Sequence, residues 1–223
     1  FFVQGLGTYL QSDSNSSGGS QYAYIAQAGI NFDLGPVALT GGVGYTQLDA
    51  KGKPCYYSES TSVPTAARLC YGNQTTGPAG ALLYATDFEV LDVFAQAGFE
   101  LGSLSLTVFG EYINNSAADN YEQGYLAGFQ LGKAKVKGSW QLSYYYEDLE
   151  SNSTLGVLTN SDFGGGGTNG AGNVFSGAYA MTDNTNFTVS YYMVDRNSDK
   201  ISTINSGEEI SVDTLQLDLN FKY

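Results

Sequence analysis

The sequence predicts an all-β fold, an antiparallel transmembrane β-barrel with about ten strands visible in this chain. Three observations predict it. Apolar and polar residues alternate along about ten segments, the connections between them alternate between very short and long, and almost every segment has one face free of charge. Because side chains alternate across a strand with a period of two, each segment presents one apolar and one polar face.

The strands follow from this alternation in chain order. They are predicted over residues 1–10, 21–33, 37–48, 88–101, 104–113, 123–132, 135–148, 174–181, 186–194 and the final stretch from about 209. The first is weakly patterned, whereas the others have clear apolar rows. The segment 49–86 contains proline, glycine and both cysteines without any sustained period, so it is predicted to be a loop.

The connections at one end of the predicted strands are short, and those at the other end are long. Short turns are predicted near 34–36, 102–103, 133–134 and 182–184, and much longer connections separate them. Outer-membrane barrels have short periplasmic turns and longer external loops, whereas a soluble sandwich has no reason to sort its loops in this way. The pattern therefore favours a barrel in the cell outer membrane, with a periplasmic C-terminus.

The final strand illustrates the choice between lipid and a soluble core. One of its faces carries Leu215, Leu217, Leu219, Phe221 and Tyr223, and the other is polar. Alternation alone fits either setting, but the loop lengths favour lipid. We therefore expect these five residues to face lipid, with Tyr223 at the periplasmic interface, and to form the C-terminal strand by which such barrels are recognised for assembly.

The extent of the domain follows from the whole pattern. Residues 1–223 are expected to form a single barrel domain. The chain begins at Phe1 without an initiator methionine or signal peptide, so it is expected to be either a processed mature chain or one that lacks N-terminal residues. In the second case the visible strands are part of a larger barrel.

Composition excludes several functions. The net charge of −13 argues against a nucleic-acid partner. The chain has no histidine, the usual general base of enzymatic barrels and a common zinc ligand, so we expect neither an enzyme nor a bound metal or cofactor. Calcium in the acidic loops stays open, but Asn160, Asp162 and Asn169 lack a ligand spacing that would support it.

Cys55 and Cys70, the only cysteines, lie in the polar segment 49–86 and are predicted to form a disulfide in an oxidising compartment. In the chain-entropy model a bridge across about 15 residues stabilises the fold by about 3 kcal/mol. Two roles stay open: the bridge stiffens an external loop, or loop 49–86 enters the lumen as a constriction. The Gly164–Gly167 run is predicted to belong to a flexible external loop.

Four stretches carry a resemblance to a known family. They are F-G-E-Y-I-N-N (109–115), G-Y-L-A-G-F-Q-L-G-K-A-K-V-K-G-S-W-Q-L-S-Y-Y-Y (124–146), T-N-S-D-F-G-G-G-G-T-N-G-A-G-N (159–173) and A-Y-A-M-T-D-N (178–184). In order and spacing, residues 108–223 resemble the C-terminal half of the putative porin family of Gram-negative outer membranes. The resemblance implies passive diffusion of small solutes.

The polar faces supply the predicted pore lining. They carry Asp92, Glu100, Glu111, Glu147 and Asp218, and such an excess of carboxylates favours cations. Lys133, Lys135 and Lys137 are predicted to anchor the periplasmic interface. The expected partners are outer-membrane lipid and small solutes or ions, and porin-like barrels often form homotrimers. The alternative function is a structural or adhesive barrel without an open pore.

Overall fold

Ten antiparallel strands form one continuous sheet in the computed structural model of the chain. The structure describes residues 1–11, 21–55, 70–77, 82–199 and 208–222. In chain order its strands are β1 (Phe2–Gln11), β2 (Gln21–Leu34), β3 (Val37–Leu48), β4 (Thr75–Thr76), β5 (Leu83–Tyr84), β6 (Phe88–Leu101), β7 (Leu104–Asn115), β8 (Gln123–Gly132), β9 (Trp140–Leu149), β10 (Gly170–Thr182), β11 (Thr185–Arg196) and β12 (Ile210–Phe221). The described residues contain no α-helix, so the predicted all-β antiparallel fold is confirmed.

Each strand of the large sheet pairs with its neighbour along the chain, in the order β1-β2-β3-β6-β7-β8-β9-β10-β11-β12. β4 and β5 form a separate two-stranded ribbon within the connection from β3 to β6. Within the part of the chain that the structure describes, β1 and β12 are the two edges of the sheet and are not hydrogen-bonded to each other, so the sheet is open.

Two of the short turns are tight and depend on glycine. Gly35 and Gly102 have φ angles of 64° and 67°, a left-handed conformation that glycine adopts without a steric penalty. The turn between β8 and β9 is longer than predicted, because β9 begins at Trp140 rather than at 135. Residues before it bond elsewhere: the Ser139 hydroxyl accepts the Lys135 N–H at 2.9 Å, and the Lys137 N–H donates to Asp183 at 2.7 Å.

Two other sequence expectations about strands differ from the structure. β10 begins at Gly170, four residues before the predicted 174, because its glycines lack the side chains on which the alternation pattern depends. Segment 49–86 is not wholly loop. It contains β4, β5 and a short 3₁₀ turn at Cys70–Gly72, held by long-range contacts that leave no period in the sequence.

The two faces of the sheet differ sharply, and we name them from β12. The apolar face is the one that carries Leu215, Leu217, Leu219 and Phe221, which are all strongly exposed. Its cross-strand pairs are apolar too, since Leu217 lies opposite Val189 and Leu219 opposite Phe187. The loop face is the opposite one, and the long connections pack against it. None of the described residues forms a helix that is long and apolar enough to cross a membrane.

Two apolar clusters lie between the loop face and the long connections. The first joins strand residues to both cysteines and to Leu155, and its buried members are Ala23, Leu48, Ala50, Cys55, Cys70, Tyr84, Phe88, Val90 and Leu155. The second comprises Phe163, Val174, Tyr192 and Val194, with Tyr145 packed against it. The buried core of the protein is therefore on the loop face, towards the end of the sheet that carries the long connections.

Candidate functional site

Three carboxylates lie near one another on the loop face, on β6, β7 and β9. Glu111 and Glu147 both pair with Leu126, from β7 and β9 on either side of β8, so they lie in one row across the sheet. Neighbouring strands are about 4.8 Å apart, so the two backbones are about 10 Å apart. Asp92 on β6 lies opposite Ile113, the next loop-face position of β7 after Glu111. We call Asp92, Glu111 and Glu147 the acidic patch.

Two adjoining cavities contain the acidic patch. One has a volume of about 650 Å³ and is lined by residues of β1, β2, β6, β7 and β8, including Asp92 and Glu111. The other has a volume of about 420 Å³ and includes all three carboxylates. Because both cavities share Asp92, Glu111 and Leu126, the acidic patch lies where they meet.

In the part of the chain that the structure describes, no lysine or arginine forms an ion pair with the acidic patch. The ion pair found among the described residues joins Lys133 to Glu100, with Nζ and Oε1 3.4 Å apart. Glu147 is only 8% exposed, and the described residues donate no hydrogen bond to it. The Oδ1 atom of Asp92 is buried without a hydrogen-bond partner. Buried carboxylates normally have a cation or several donors beside them, and among the described residues neither Glu147 nor the buried Oδ1 atom of Asp92 has one, whereas Glu111 is exposed.

The other two predicted pore-lining residues lie apart from the acidic patch. Glu100 is near the short turn between β6 and β7, where it pairs with Lys133. Asp218 is on the loop face of β12, and the Gln216 side chain donates a hydrogen bond to it at 3.2 Å. The alternation of polar residues placed all five carboxylates on one face but could not show which of them are neighbours.

The connection between β9 and β10 forms part of the wall of the smaller cavity, next to the acidic patch. Thr154, Leu158, Thr159 and Asn160 line the smaller cavity together with the three carboxylates. Further along, Phe163 is buried against Val174, Tyr192 and Val194 on the loop face. Burying a phenylalanine side chain stabilises a fold by about 1.5–3 kcal/mol, so Phe163 is a strong anchor for this connection.

The Gly164–Gly167 run was predicted to be part of a flexible external loop, and that prediction is wrong about its packing. All four glycines have positive φ angles, and Gly166 and Gly167 are buried. The Gly167 N–H donates to Thr159 Oγ1 at 2.6 Å, and the Arg196 guanidinium donates to the Gly167 carbonyl at 3.3 Å. The run therefore follows the loop face closely, as a backbone without side chains can.

Asn73 joins the connection 49–87 to the connection between β9 and β10. Its amide group donates to the carbonyls of Ser151 and Thr154, each at 2.7 Å, and to the Thr168 hydroxyl at 3.2 Å. Its oxygen accepts the Gly156 N–H at 2.8 Å. These partners are about 80 residues or more away along the chain, and Asn73 is only 5% exposed.

Two further asparagines extend this polar contact. The fully buried Asn115, at the end of β7, donates to the carbonyls of Asp87 and Asn152 and accepts the Glu89 N–H. Asn152 in turn donates to Gln74 and to the Asn120 carbonyl. Three long connections are thus held together by side-chain amides. Sequence reasoning missed these residues, because isolated asparagines in loops carry no pattern.

The predicted disulfide is confirmed: Cys55 and Cys70 are bonded, with their Cα atoms 5.3 Å apart. Both cysteines are buried in the first apolar cluster. The choice between the two roles left open for loop 49–86 stays a prediction. The described residues of this loop pack on the end of the loop face, whereas the connection between β9 and β10 lines the cavity at the acidic patch.

A carboxylate joins two segments at the end of the sheet that carries the long connections. Asp199, just after β11, accepts hydrogen bonds from the Ser151 N–H at 2.7 Å and from its hydroxyl at 2.5 Å. Burial raises the pKa of Asp199, and the two hydrogen bonds from Ser151 offset part of this effect. The side chain therefore fastens the start of the connection between β9 and β10 to the end of β11.

The residues predicted to face lipid lie on the apolar face, where Leu215 and Leu217 are each 62% exposed and Phe221 is 65% exposed. Tyr223, predicted to lie at the interface, falls outside the described residues. Contact with lipid itself stays a prediction. Within the described ranges, no group of three or more Cys, Asp or Glu side chains is arranged to hold a metal ion.

A sheet with one exposed apolar face and an opposite face that carries charge is typical of pore-forming barrel proteins. The comparison with protein families agrees with this class. The family model of the putative porins matches residues 83–223, well over half of the chain, and the chain belongs to that family. No curated protein matches the chain.

Proposed function

We propose that the chain forms an outer-membrane β-barrel that allows passive diffusion of small hydrophilic solutes and ions, with a preference for cations. Membership of the putative porin family supports a porin-like role and suggests an outer-membrane location. The observation that carries the proposal is the contrast between the two faces. Leu215, Leu217 and Leu219 are exposed on the apolar face, while the acidic patch borders cavities on the loop face.

The barrel requires closure of the sheet, because every backbone group must be hydrogen-bonded in lipid. The edges β1 and β12 are antiparallel in this order of strands, so they can pair with each other or with additional strands of a larger barrel. In the proposed orientation the short turns and the C-terminus are periplasmic, and the barrel is a single domain. Homotrimers and the absence of catalytic activity belong to the same proposal.

A second function is favoured by one observation. The long connections pack densely on the loop face, with Leu48, Phe88 and Leu155 in a single buried cluster. Eight-stranded barrels are filled by side chains, whereas barrels of 16 to 18 strands leave an aqueous channel. A ten-stranded barrel with packed loops fits a structural or adhesive protein without an open pore.

Liposome swelling distinguishes the two functions. Vesicles that contain the folded protein are expected to swell in an isotonic solution of a small uncharged sugar, because an open path admits the sugar and water follows. Empty vesicles serve as the control. Vesicles that hold correctly folded protein and do not swell would favour the structural or adhesive barrel and contradict the porin.

A further inference from the structure

The acidic patch forms part of the wall of the smaller cavity. Asp92, Glu111 and Glu147 line one cavity, and within the described ranges none of them forms an ion pair, while the Oδ1 atom of Asp92 is buried without a hydrogen-bond partner. Glu147 is more than nine-tenths buried and points into that cavity. Because desolvation of a carboxylate is costly, a positively charged group in the cavity would stabilise the buried Glu147 and the partly buried Asp92, with the exposed Glu111 close enough to add its charge.

The Asp92 side chain lies close to a glycine on the neighbouring strand β3. Gly44 lies directly opposite Asp92, and a Cβ atom on Gly44 would be 2.9 Å from the Asp92 carboxylate oxygen Oδ2. The carboxylate therefore lies over a glycine, in space that any side chain at residue 44 would restrict. A residue larger than glycine at this position would displace the Asp92 carboxylate.

The rest of the cavity wall indicates the kind of cation. Ile113, Leu126, Leu149 and Leu158 provide hydrocarbon surface, and Thr159 and Asn160 provide neutral polar groups. A metal ion needs several oxygen ligands within about 2.6 Å, and the described acidic side chains are not grouped closely enough to provide them. An ammonium or guanidinium group can instead bind carboxylates that are too far apart to share a metal ion. A hydrocarbon chain attached to that group can pack on the leucines.

We propose that the acidic patch binds small organic cations that carry an ammonium or guanidinium group on a short hydrocarbon chain. The carboxylates of Glu147 and Glu111 accept hydrogen bonds from the cationic group, and Leu126 and Leu158 contact the chain. The proposal rests on the proposed diffusion function, because it names the solutes that the path would favour over others of the same size.

Binding can be measured without an open pore. The probe is n-butylammonium, followed by ligand-observed NMR with the folded protein in detergent micelles, and n-butanol is the neutral control. We expect n-butylammonium to bind, n-butanol not to bind, and Glu147→Gln to weaken binding about 10- to 100-fold, the range for a charged hydrogen bond. Glu111→Gln serves as the second variant if Glu147→Gln does not fold.

The matched control is Glu209→Gln, which removes the same charge at an exposed position just before β12. Equal binding of n-butanol, equal weakening by Glu209→Gln, or no effect of Glu147→Gln would each overturn the proposal. Binding of Ca²⁺ in place of n-butylammonium, with the same dependence on Glu147, would assign a metal site instead. Specific binding by a protein that does not admit solutes would overturn the diffusion function alone.

Discussion

Replacement of Leu217 by arginine is expected to cost about 2–4 kcal/mol of the free energy of folding into a bilayer, the cost of a basic residue on the lipid side near the midplane. Leu217 lies on the apolar face of β12, opposite Val189, and is 62% exposed. The free energy is measured by denaturant titration of the protein folded into lipid vesicles, with the fluorescence of the single tryptophan, Trp140, as the signal.

The matched control is Gln216→Arg, one residue earlier on the same strand. Gln216 is on the loop face, where the proposed setting is water, so its replacement by arginine should cost well under the value for Leu217. An equal cost for the two arginines would contradict the assignment of the apolar face to lipid. A cost for Gln216→Arg alone would place the lipid on the loop face.

Replacement of Asn73 by alanine is expected to destabilise the junction between the long connections by about 3 kcal/mol. The variant removes the hydrogen bonds of the Asn73 side chain, so the Thr154 carbonyl and the Gly156 N–H lose the partner that Asn73 provides, whereas the Ser151 carbonyl keeps the Thr168 hydroxyl at 3.0 Å. The measurement is hydrogen exchange, in which the Gly156 amide should lose protection while amides in the centre of the sheet keep theirs.

Asn220→Ala provides the control for this variant, because Asn220 is an exposed residue of β12 at the opposite end of the molecule from the junction. It should leave the protection of Gly156 unchanged. If Asn73→Ala also left that protection intact, the two connections would be held by their apolar cluster rather than by the asparagine.

Much of the sheet could be predicted because the alternation that defines a strand involves only residues that are close together in the sequence. In β12, Leu215, Leu217 and Leu219 alternate with polar residues, and no distant contact is needed to assign their face. The start of β9 was less predictable, since Val136 continues the apolar alternation. Its backbone instead bonds to the Ser139 side chain, and that competition is not visible in a period of two.

The candidate site was predictable only in part. Alternation placed Glu111 and Glu147 on one face, but their common row depends on the register of β8 between them. The wall formed by Thr159 and Asn160 was not predictable, because the connection between β9 and β10 is held by residues such as Asn73, more than 75 positions earlier. Long-range hydrogen bonds of this kind have no signature in a single sequence.

We propose that the acidic loop face borders an open path through the outer membrane that prefers cations. The most direct measurement is the reversal potential of single channels in a planar bilayer that separates two concentrations of potassium chloride. We expect discrete open-channel steps and a reversal potential of the sign that potassium selectivity gives. Bilayers that remain electrically silent with folded protein present, or a reversal potential of the opposite sign, would contradict it.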